Sequence, residues 1–305
     1  MRVSLVIMAA GLGSRYGGEK QVDGIGPHNE ILMEYSIHDA LKAGFNKIVF
    51  IIKPDMEAMM NRLCGDYLRQ KTALDGSPVE VAYAYQDFTS IPDFYTIPPE
   101  RTKPFGTVHA LLCAENVVNE PCCVINADDY YGAKAYRFMY EALLHMPTKG
   151  TAAMMGYRLK NTASLHGAVS RGLCVTRNGR LEAIHETKNI QMYPDGTLRD
   201  LDTERVLNPD TLVSMNFWGF QPSIFPVMGT YFADFLCDLE EQDIKSECLL
   251  PVMVDYLMGN EQMEVSVLHT DDQWFGMTYR QDRDVVSAAL KRLHEQGEYP
   301  ESLRV

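Results

Sequence analysis

Four apolar strand segments separated by helices in the first 150 residues constrain the fold of this chain more than any other feature. Residues 31–44 show helical periodicity and end at Gly44, a residue typical of a helix C-terminus. Continuous apolar strands alternating with helices are typical of a parallel sheet that is covered on both faces. The sequence therefore predicts an α/β fold with a Rossmann-like, mostly parallel sheet flanked by helices. The four segments are VSLVIMA (3–9), KIVFII (47–52), VEVAYAY (79–85) and PCCVINADD (121–129).

The pattern changes after residue 150, where hairpin signals replace the regular alternation of strands and helices. Asn178-Gly179 separates two strand-like runs, and this dipeptide is a strong signal for a tight turn between antiparallel strands. Helical patterns return from residue 223. We therefore predict a core made of two halves, the second of them rich in β-hairpins, and a C-terminal extension with helices that packs on the core. The predicted bounds are 1–150, 151–240 and 241–305.

The acidic charge balance narrows the range of partners. The chain has 305 residues, a formal net charge of -13 and 46% hydrophobic residues, which is ordinary for a globular protein apart from the charge. A general binder of nucleic acid needs a basic surface, so we expect no nucleic-acid partner. The strongest apolar run, Ile48–Ile52, is too short to span a membrane. Seven cysteines without a C-x-x-C pair indicate reduced thiols in a cytoplasmic protein.

A loop of small residues with two cations follows the first strand, in AAGLGSRYGGEK. The P-loop pattern G-x-x-x-x-G-K-[ST] does not fit it, because Glu19 and Gln21 stand where the lysine and the hydroxyl are needed. The dinucleotide pattern G-x-G-x-x-G does not fit at Tyr16. Lys53 also follows the second strand, where an acidic ribose partner would stand, and this disfavours a dehydrogenase.

The loop does match A-A-G-x-G-[ST]-R-x-G followed by a lysine. It thereby resembles the loop of the nucleotidyltransferases that make nucleotide sugars and related activated head groups. A glycine-rich loop of this kind lets backbone N–H groups approach phosphate oxygens closely. The resemblance implies that Arg15 and Lys20 neutralise a triphosphate and the departing pyrophosphate. A tight turn with solvated cations is the alternative. The nucleotide-binding residues implied in this loop are Ala10, Gly11, Gly13 and Ser14.

Two further segments match the nucleotide side of the family. Its members place a base-reading polar residue after the third strand, where this chain has Gln86, whose amide can donate and accept at once. The segment FGTVHAL resembles the family's G-T-x-x-A-L helix start. The resemblance implies that Gly106 and Thr107 lie close to the base or the ribose, at a helix N-terminus. We interpret His109, one turn inside this helix, as a packing residue.

The fourth strand ends in acidic residues, in VINADDYYG. This segment resembles the family's strand whose following aspartate binds Mg²⁺, and that aspartate is Asp128 here. Open α/β sheets bind their ligands at the carboxyl ends of their strands, and a hard cation prefers carboxylate oxygen. Asp129 would be a second ligand or a contact to the acceptor. A turn or capping aspartate is the alternative interpretation.

The acceptor side of the family is matched by LHGAV and AIHETK, in the family's order. The resemblance implies that Gly167, Glu186 and Lys188 hold an acceptor sugar and its phosphate, although Thr187 separates two charges that many relatives have adjacent. Glu186 and Lys188 fall on one face of a strand, which also suits an exposed ion pair. Asn216, in the strand-like run SMNFWGF, is the candidate for a further acceptor contact.

The resemblance weakens near the C-terminus. Many sugar nucleotidyltransferases bring a second metal-binding aspartate from a late W-x-D-like segment, where this chain has Gly276. A carboxylate from Asp271, Asp272 or Asp282, or the side chain of Asn216, would have to take its place.

These motifs predict an enzyme that transfers a nucleoside monophosphate from an NTP to a sugar-1-phosphate or a similar phosphorylated acceptor, with Mg²⁺ as cofactor. Asp128 would hold the metal, and Lys188 would steer the acceptor phosphate. Residues 1–150 would then be the nucleotide half and residues 151–240 the acceptor half. Two alternatives stay open, a cytidylyltransferase for a non-sugar phosphate such as phosphocholine and a nucleotide-binding regulatory protein without turnover. We interpret the closing helix as an appendage or as a contact in a homo-oligomer.

Overall fold

The computed structural model describes residues 1–11, 24–276 and 282–304. The strands are β1 (Ser4–Met8), β2 (Lys47–Ile52), β3 (Glu80–Tyr85), β4 (Cys122–Asn126), β5 (Asp129–Tyr130), β6 (Thr151–Arg158), β7 (Val169–Arg177), β8 (Arg180–Met192), β9 (Leu198–Asp200), β10 (Val206–Leu207), β11 (Leu212–Phe220), β12 (Glu264–Thr270) and β13 (Phe275–Gly276). The α-helices are α1 (Leu32–Ala43), α2 (Glu57–Met60), α3 (Asp66–Leu68), α4 (Thr107–Leu112), α5 (Ala133–His145), α6 (Ile224–Cys237), α7 (Leu250–Gly259) and α8 (Asp282–Glu295). A π-helical turn at Asn61–Gly65 joins α2 to α3, and 3₁₀ turns lie at Pro54–Met56, Phe88–Ser90 and Leu159–Asn161.

The first four long strands form a parallel sheet in the order β3-β2-β1-β4. Both of its faces are covered, because Leu5 and Ile7 pack with α1 and α5 while Val6 packs with α4, α6 and α7. Gly44 ends α1 in the left-handed region, at φ 116°, as its position in the sequence predicts. The prediction of an α/β fold with buried parallel strands is confirmed for this half.

The second half of the sheet is mostly antiparallel. The strand β11 lies between β4 and β6 and runs antiparallel to both, and β7 and β8 form an antiparallel hairpin around Asn178-Gly179. Among the described strands of this half, the pair β6 and β12 is parallel. The prediction of a mostly parallel sheet is therefore wrong beyond β4. Short hairpin connections can only join antiparallel strands, which accounts for the pairs β7–β8 and β8–β9. The antiparallel pairs of β11 with β4 and β6 come from its insertion between two strands that are distant in the chain.

Five strands of this half close into a ring. The strand β7 pairs with both β8 and β11, β11 pairs with β6, β6 with β12, and β12 with β8. The register between β11 and β6 shifts between Ser214 and Trp218, and Asn216, within this irregular stretch, has φ 61°. Asparagine tolerates this left-handed conformation better than most residues. Before this irregular stretch β11 lies between β6 and β7, and after it β11 lies between β6 and β4.

The C-terminal segment contributes a strand to the large sheet and also packs against the core. The strand β12 lies between β6 and β8, and β13 pairs with β5. The helix α8 contributes Val286 and Leu290 to a small buried cluster that also contains Leu32 and Tyr35 of α1. The division of the chain at residue 240 stays a prediction. No helix in the described ranges is both long and apolar enough to cross a membrane, and all seven cysteines are free thiols.

Polar contacts between α1 and the C-terminal residues accompany this cluster. The Tyr299 hydroxyl donates to Asp39 Oδ2 at 2.7 Å, and its oxygen lies 2.9 Å from the Tyr130 hydroxyl. Arg304 donates to both carboxylate oxygens of the buried Glu34, from Nε at 2.5 Å and from Nη2 at 3.0 Å. Burial raises the pKa of Asp39 to about 8. The Asp39 carboxyl is therefore largely protonated at pH 7.

Truncation of Leu290 should detach α8 from the cluster. The Leu290 side chain is 0% exposed, and replacing a fully buried leucine by alanine costs about 2–5 kcal/mol of unfolding free energy. We expect Leu290→Ala to lower the urea-unfolding free energy by an amount in this range. Val285→Ala, on the same helix at 55% exposure, is the matched control and should change stability by less than about 0.5 kcal/mol. Equal effects of the two variants would contradict the packing of α8 described here.

The raised pKa of Asp39 makes stability depend on pH. Between the ordinary pKa of an aspartate and about 8, the unfolded state is ionised and the folded state keeps its proton, so stability falls as pH rises through this window. Asp39→Asn replaces the titrating carboxyl group by an amide, whose oxygen can still accept the hydrogen bond from the Tyr299 hydroxyl. We expect the stability of Asp39→Asn relative to wild type to rise with pH until about 8 and then level off. Urea unfolding at pH 5, 6, 7 and 8.5 measures the difference, and a constant difference would be evidence against a buried, protonated Asp39.

Candidate functional site

The carboxyl ends of the four parallel strands lie at one edge of the sheet. Met8 is opposite Asn126 on one side and Ile51 on the other, and Ile52 is opposite Tyr85. The chain therefore leaves β1, β3 and β4 at the same edge. Adjacent strands are about 4.8 Å apart, so the end of β1 lies one strand from the end of β4 and two strands, or about 10 Å, from the end of β3.

Ala10 and Gly11 lie at this edge, directly after β1. Ala10 is buried, whereas Gly11 is exposed, and a Cβ atom added to Gly11 would meet no described atom within 4 Å. Among the described residues, none would contact a side chain at Gly11, which follows the strand next to β4. The remaining predicted residues of this loop, Gly13, Ser14, Arg15 and Lys20, lie outside the described residues, and their roles stay predictions.

Gln86, Gly106 and Thr107 come together at the end of β3. The Gln86 side chain is buried, and its Nε2 donates to the Gly106 carbonyl oxygen at 3.2 Å. Gly106 has φ 91°, and a Cβ added there would lie 2.6 Å from the Cys248 carbonyl oxygen, so a glycine is needed. The Thr107 hydroxyl oxygen accepts from the Leu250 amide at 2.8 Å, and thereby holds the first residue of α7.

Asp128 and Asp129 follow β4 and differ in their surroundings. Asp128 lies in the turn between β4 and β5 and is partly exposed. Asp129 is buried, and its Oδ2 accepts hydrogen bonds from Asn126 Nδ2 at 2.8 Å and from the Tyr131 hydroxyl at 3.1 Å. Burial, followed by the Asp128 charge, raises the pKa of Asp129 to about 7, against the opposing effect of its hydrogen bonds. The accessible carboxylate for a ligand is therefore that of Asp128.

Asn216 lies beside Asn126 at the same edge. Its Nδ2 donates to Asn126 Oδ1 at 2.8 Å, and its Oδ1 accepts from Trp218 Nε1 at 3.1 Å. The resulting chain of hydrogen bonds runs from Trp218 through Asn216 and Asn126 to Asp129. Since both functional groups of the Asn216 amide are engaged within the protein, Asn216 holds the neighbours of the acidic turn in place.

Gly276 has no room for a side chain. It is opposite Asp129 in the pair β5 and β13, and a Cβ added to it would lie 2.2 Å from Trp274 Cη2 and 3.1 Å from Asp129 Oδ1. Packing of the Trp274 ring therefore accounts for the missing late aspartate.

The aspartates considered as replacements for that carboxylate make other contacts. Asp271 Oδ1 lies 3.0 Å from Arg158 Nε, and Asp272 Oδ2 accepts from the Lys134 amide at 3.0 Å, at the start of α5. Asp282 accepts from the Ser164 hydroxyl at 2.9 Å.

The predicted acceptor residues lie on and before the hairpin of β7 and β8. Glu186 is opposite Gly172, at which a Cβ would lie 3.7 Å from Glu186 Oε2 and 3.8 Å from Ser214 Cβ of β11. Desolvation raises the pKa of Glu186, and Arg171 and Lys188 oppose this rise. Lys188 is exposed, and Gly167 lies in a bend just before β7. The structure thus brings Glu186 near Ser214 of β11, and Ser214 is two residues before Asn216 in the chain.

Arg171 is a residue that the motifs did not identify. Its side chain is buried, its Nη1 donates to the Ser170 carbonyl at 2.8 Å, and its guanidinium lies 4.9 Å from the centre of the Trp274 ring. Its positive charge opposes the rise in the pKa of Asp129 and of Glu186, so one buried arginine acts on both carboxyl groups. The signal in the sequence is a single arginine within the otherwise uncharged run GAVSRGLCV.

The described carboxylates are compatible with a Mg²⁺ ion that is bound partly by the protein and partly by a substrate. In the described parts of the chain, no three His, Cys, Asp or Glu side chains are grouped as a metal site. Mg²⁺ keeps several waters and is commonly bound through one or two carboxylates plus substrate phosphates. The partly exposed Asp128, which follows the strand next to β1, is the described residue that could hold such an ion together with substrate phosphates.

The sequence matches one family model. The model described as Nucleotidyl transferase matches residues 5–226, a range that begins within β1 and contains β4 and the hairpin of β7 and β8. No curated protein is significantly similar to the chain in sequence.

Solved structures of similar fold include three nucleotide-transferring proteins. A protein assigned as a glucose-1-phosphate thymidylyltransferase from Bacillus anthracis, in complex with a sucrose, is 13% identical at a TM-score of 0.63, over 99% of this chain and 98% of that chain. The inositol-1-phosphate CTP transferase of T. maritima is 12% identical at a TM-score of 0.59, over 95% of this chain and 96% of that chain. A UDP-glucose pyrophosphorylase in complex with UDP-glucose is 15% identical at a TM-score of 0.56, over 97% and 100%. At these identities the likeness shows the fold, which is the α/β nucleotidyltransferase fold.

The packing at Gly276 can be tested by adding one methyl group. We expect Gly276→Ala to lower the unfolding free energy by about 1–3 kcal/mol, because the new Cβ overlaps the Trp274 ring and either the ring or β13 must move. The matched control is Gly229→Ala in α6, where a Cβ meets no described atom within 4 Å. Helix propensity predicts that this control is stabilised by about 0.5–1 kcal/mol. A Gly276→Ala variant as stable as wild type in urea unfolding would show that space is not what excludes a side chain there.

Proposed function

The chain belongs to the nucleotidyl transferase family, and from this premise we propose that its reaction transfers a nucleoside monophosphate from an NTP to a sugar-1-phosphate or a similar phosphorylated acceptor. Pyrophosphate is the second product. One observation carries this proposal: Gly11, Gln86 and Asp128 follow the carboxyl ends of three strands of the parallel sheet. The register of these strands places the three ends at the same edge.

The spacing of these residues suits an extended nucleotide. The base would lie at Gln86 after β3, the phosphates at the loop after β1, and the metal at Asp128 after β4. Bound Mg²⁺ would neutralise charge on the phosphates as it develops in the transition state. Arg15 and Lys20 are proposed to contact the triphosphate and the departing pyrophosphate, and Ala10, Gly13, Ser14, Gly106 and Thr107 to surround the nucleotide.

The chemistry is an in-line displacement at phosphorus. A phosphate oxygen of the acceptor attacks the α-phosphorus and forms a new P–O bond, while the bond from the α-phosphorus to the bridging oxygen of the β-phosphate breaks. The side chains position the two substrates and neutralise charge. We propose that Lys188 steers the acceptor phosphate, and that Gly167, Glu186, Asp129 and Asn216 line or support the acceptor side.

A sugar-1-phosphate is the acceptor that we favour. Two of the similar structures are described as enzymes of glucose-1-phosphate or UDP-glucose. The third is described as a CTP transferase for inositol-1-phosphate, which supports a cytidylyltransferase for a non-sugar phosphate as the second candidate.

An assay of pyrophosphate release over a panel of substrates tests the proposal. The purified protein is incubated with Mg²⁺, each of UTP, dTTP, CTP, ATP and GTP, and each of several sugar-1-phosphates, inositol-1-phosphate and phosphocholine. We expect pyrophosphate release that requires the acceptor, the metal and a particular pair. Tight NTP binding without release for any pair would contradict the proposal and support a regulatory nucleotide-binding protein.

Removal of the Asp128 carboxylate should abolish metal-dependent turnover. We expect Asp128→Ala to lower kcat/KM by about 100-fold or more, because it removes the accessible carboxylate beside the phosphates. The control is Asp66→Ala on the exposed surface of α3, which should leave activity within about twofold. Circular dichroism and thermal unfolding verify that both variants fold. Undiminished activity of Asp128→Ala would refute the metal assignment.

A further inference from the structure

The orientation of the Gln86 amide is determined by its neighbours. The amide nitrogen Nε2 lies 3.2 Å from the Gly106 carbonyl oxygen and 3.5 Å from Nδ1 of His109. A carbonyl oxygen can only accept a hydrogen bond, so the nitrogen and not the oxygen of the amide must face Gly106. One N–H of the amide then points to Gly106, and the other is available to His109.

His109 links Gln86 to Ser90 through its two ring nitrogens, and the donors and acceptors along this link follow from the orientation of Gln86. If Nδ1 accepts from Gln86, the ring proton is on Nε2, which lies 2.9 Å from the Ser90 hydroxyl oxygen. Ser90 then accepts from the ring, and its own hydrogen can be given to the Asp87 carbonyl oxygen at 3.2 Å or to Cys113 Sγ at 3.4 Å. Every donor in this chain, from Gln86 through His109 to Ser90, therefore has an acceptor.

The His109 ring is held in the state that this chain requires. The ring is 1% exposed and stacks on Phe232, with the ring centres 5.5 Å apart and an angle of 5° between the planes. Burial lowers the pKa of His109 to about 4, so the ring is neutral at pH 7 and has one N–H and one lone pair.

We propose that His109 is a positioning residue for base recognition, which holds Gln86 so that a base meets the amide oxygen Oε1 alone. The inference rests on the proposed nucleotide site and deepens it. Within the described ranges no group donates to Oε1 of Gln86, while both N–H groups of the amide face protein acceptors. Gln86 is thus an acceptor toward the ligand, where the sequence alone allowed it to donate and accept.

An amide of fixed orientation selects a base with an N–H donor at the contact. The position of the donor differs among the bases: uracil and thymine have N3–H between two carbonyl groups, guanine has N1–H beside an amino group, and cytosine and adenine have an exocyclic amino group beside an unprotonated ring nitrogen. A freely rotating glutamine could match any of these edges by exchanging its oxygen and nitrogen. Loss of the orientation should therefore weaken discrimination among NTPs more than it weakens NTP binding as a whole.

Two isosteric substitutions of His109 separate the two ring nitrogens. In His109→Asn, the side-chain oxygen can take the place of Nδ1 and accept from Gln86, while the contact to Ser90 is lost. In His109→Gln, the terminal amide can take the place of Nε2 and reach Ser90, while the acceptor for Gln86 is lost. Both variants lose the stacking on Phe232, so they are controls for each other.

The experiment measures dissociation constants of the five Mg–NTP complexes by titration calorimetry, and kcat/KM for pyrophosphate release. We expect His109→Asn to keep the ratio of affinities between the best and the next-best NTP. We expect His109→Gln to lower this ratio by about tenfold, which is the range of one hydrogen bond to an unpaired group. Ser90→Ala, at an exposed position, should lower the ratio by about twofold to threefold, and Ser90→Thr should keep it.

Equal ratios in His109→Asn and His109→Gln would overturn the inference, as would an unchanged ratio in His109→Gln. The binding measurement does not require turnover. A wild-type protein that discriminates among NTPs in binding but releases no pyrophosphate would contradict the proposed reaction and leave the role of His109 to be decided by the same ratios.

Discussion

The hydrogen bond between the side chains of Asn216 and Asn126 joins the parallel and antiparallel halves of the sheet at the point where the site is built. Its length is 2.8 Å, and it lies beside the irregular stretch of β11, after which this strand pairs with β4 as well as with β6. Partly buried amides need partners, and Trp218 and Asp129 satisfy the remaining groups of this pair. The position of the acidic turn after β4 therefore depends on a contact with a residue that is 90 positions later in the chain.

The C-terminal segment supports both ends of the same edge. At the end of β3, the Cys248 carbonyl oxygen accepts from the Val108 amide at 3.0 Å and the Cys248 amide donates to the Phe105 carbonyl oxygen at 2.8 Å, so backbone hydrogen bonds lie on both sides of Gly106. At the end of β4, Gly276 is opposite Asp129, and the Trp274 ring occupies the space next to Gly276. Segments that follow the family match at residue 226 thus shape the site, although they carry none of the motifs.

Local patterns were sufficient to predict the part of the fold that depends on neighbouring residues in the chain. The four apolar runs, the helix end at Gly44 and the turn at Asn178-Gly179 are each determined within about ten residues, and the structure has all of them. The carboxyl-edge position of Asp128 follows from the parallel pairing of β1 and β4. The roles of Gly13, Ser14, Arg15 and Lys20 stay predictions because these residues lie outside the described ranges.

Long-range packing accounts for what the sequence could not predict. The insertion of β11 between β4 and β6 depends on hydrogen bonds between distant strands, and the apolar pattern of a strand does not specify which strands it pairs with. Thr107 was identified by its motif, but its contact with the Leu250 amide depends on where α7 begins. Gln86 and His109 are 23 positions apart, and the direction of their hydrogen bond follows from the position of the Gly106 carbonyl oxygen. Neither composition nor motif spacing could predict this direction.

A crystal structure with Mg²⁺ and a non-hydrolysable analogue of the preferred NTP would show directly where the nucleotide and the metal bind. We expect a metal about 2.1 Å from a carboxylate oxygen of Asp128, phosphates next to Gly11, and a base N–H within hydrogen-bond distance of Gln86 Oε1. A nucleotide bound away from the carboxyl edge of β1, β3 and β4, or a metal bound without Asp128, would contradict the proposed site.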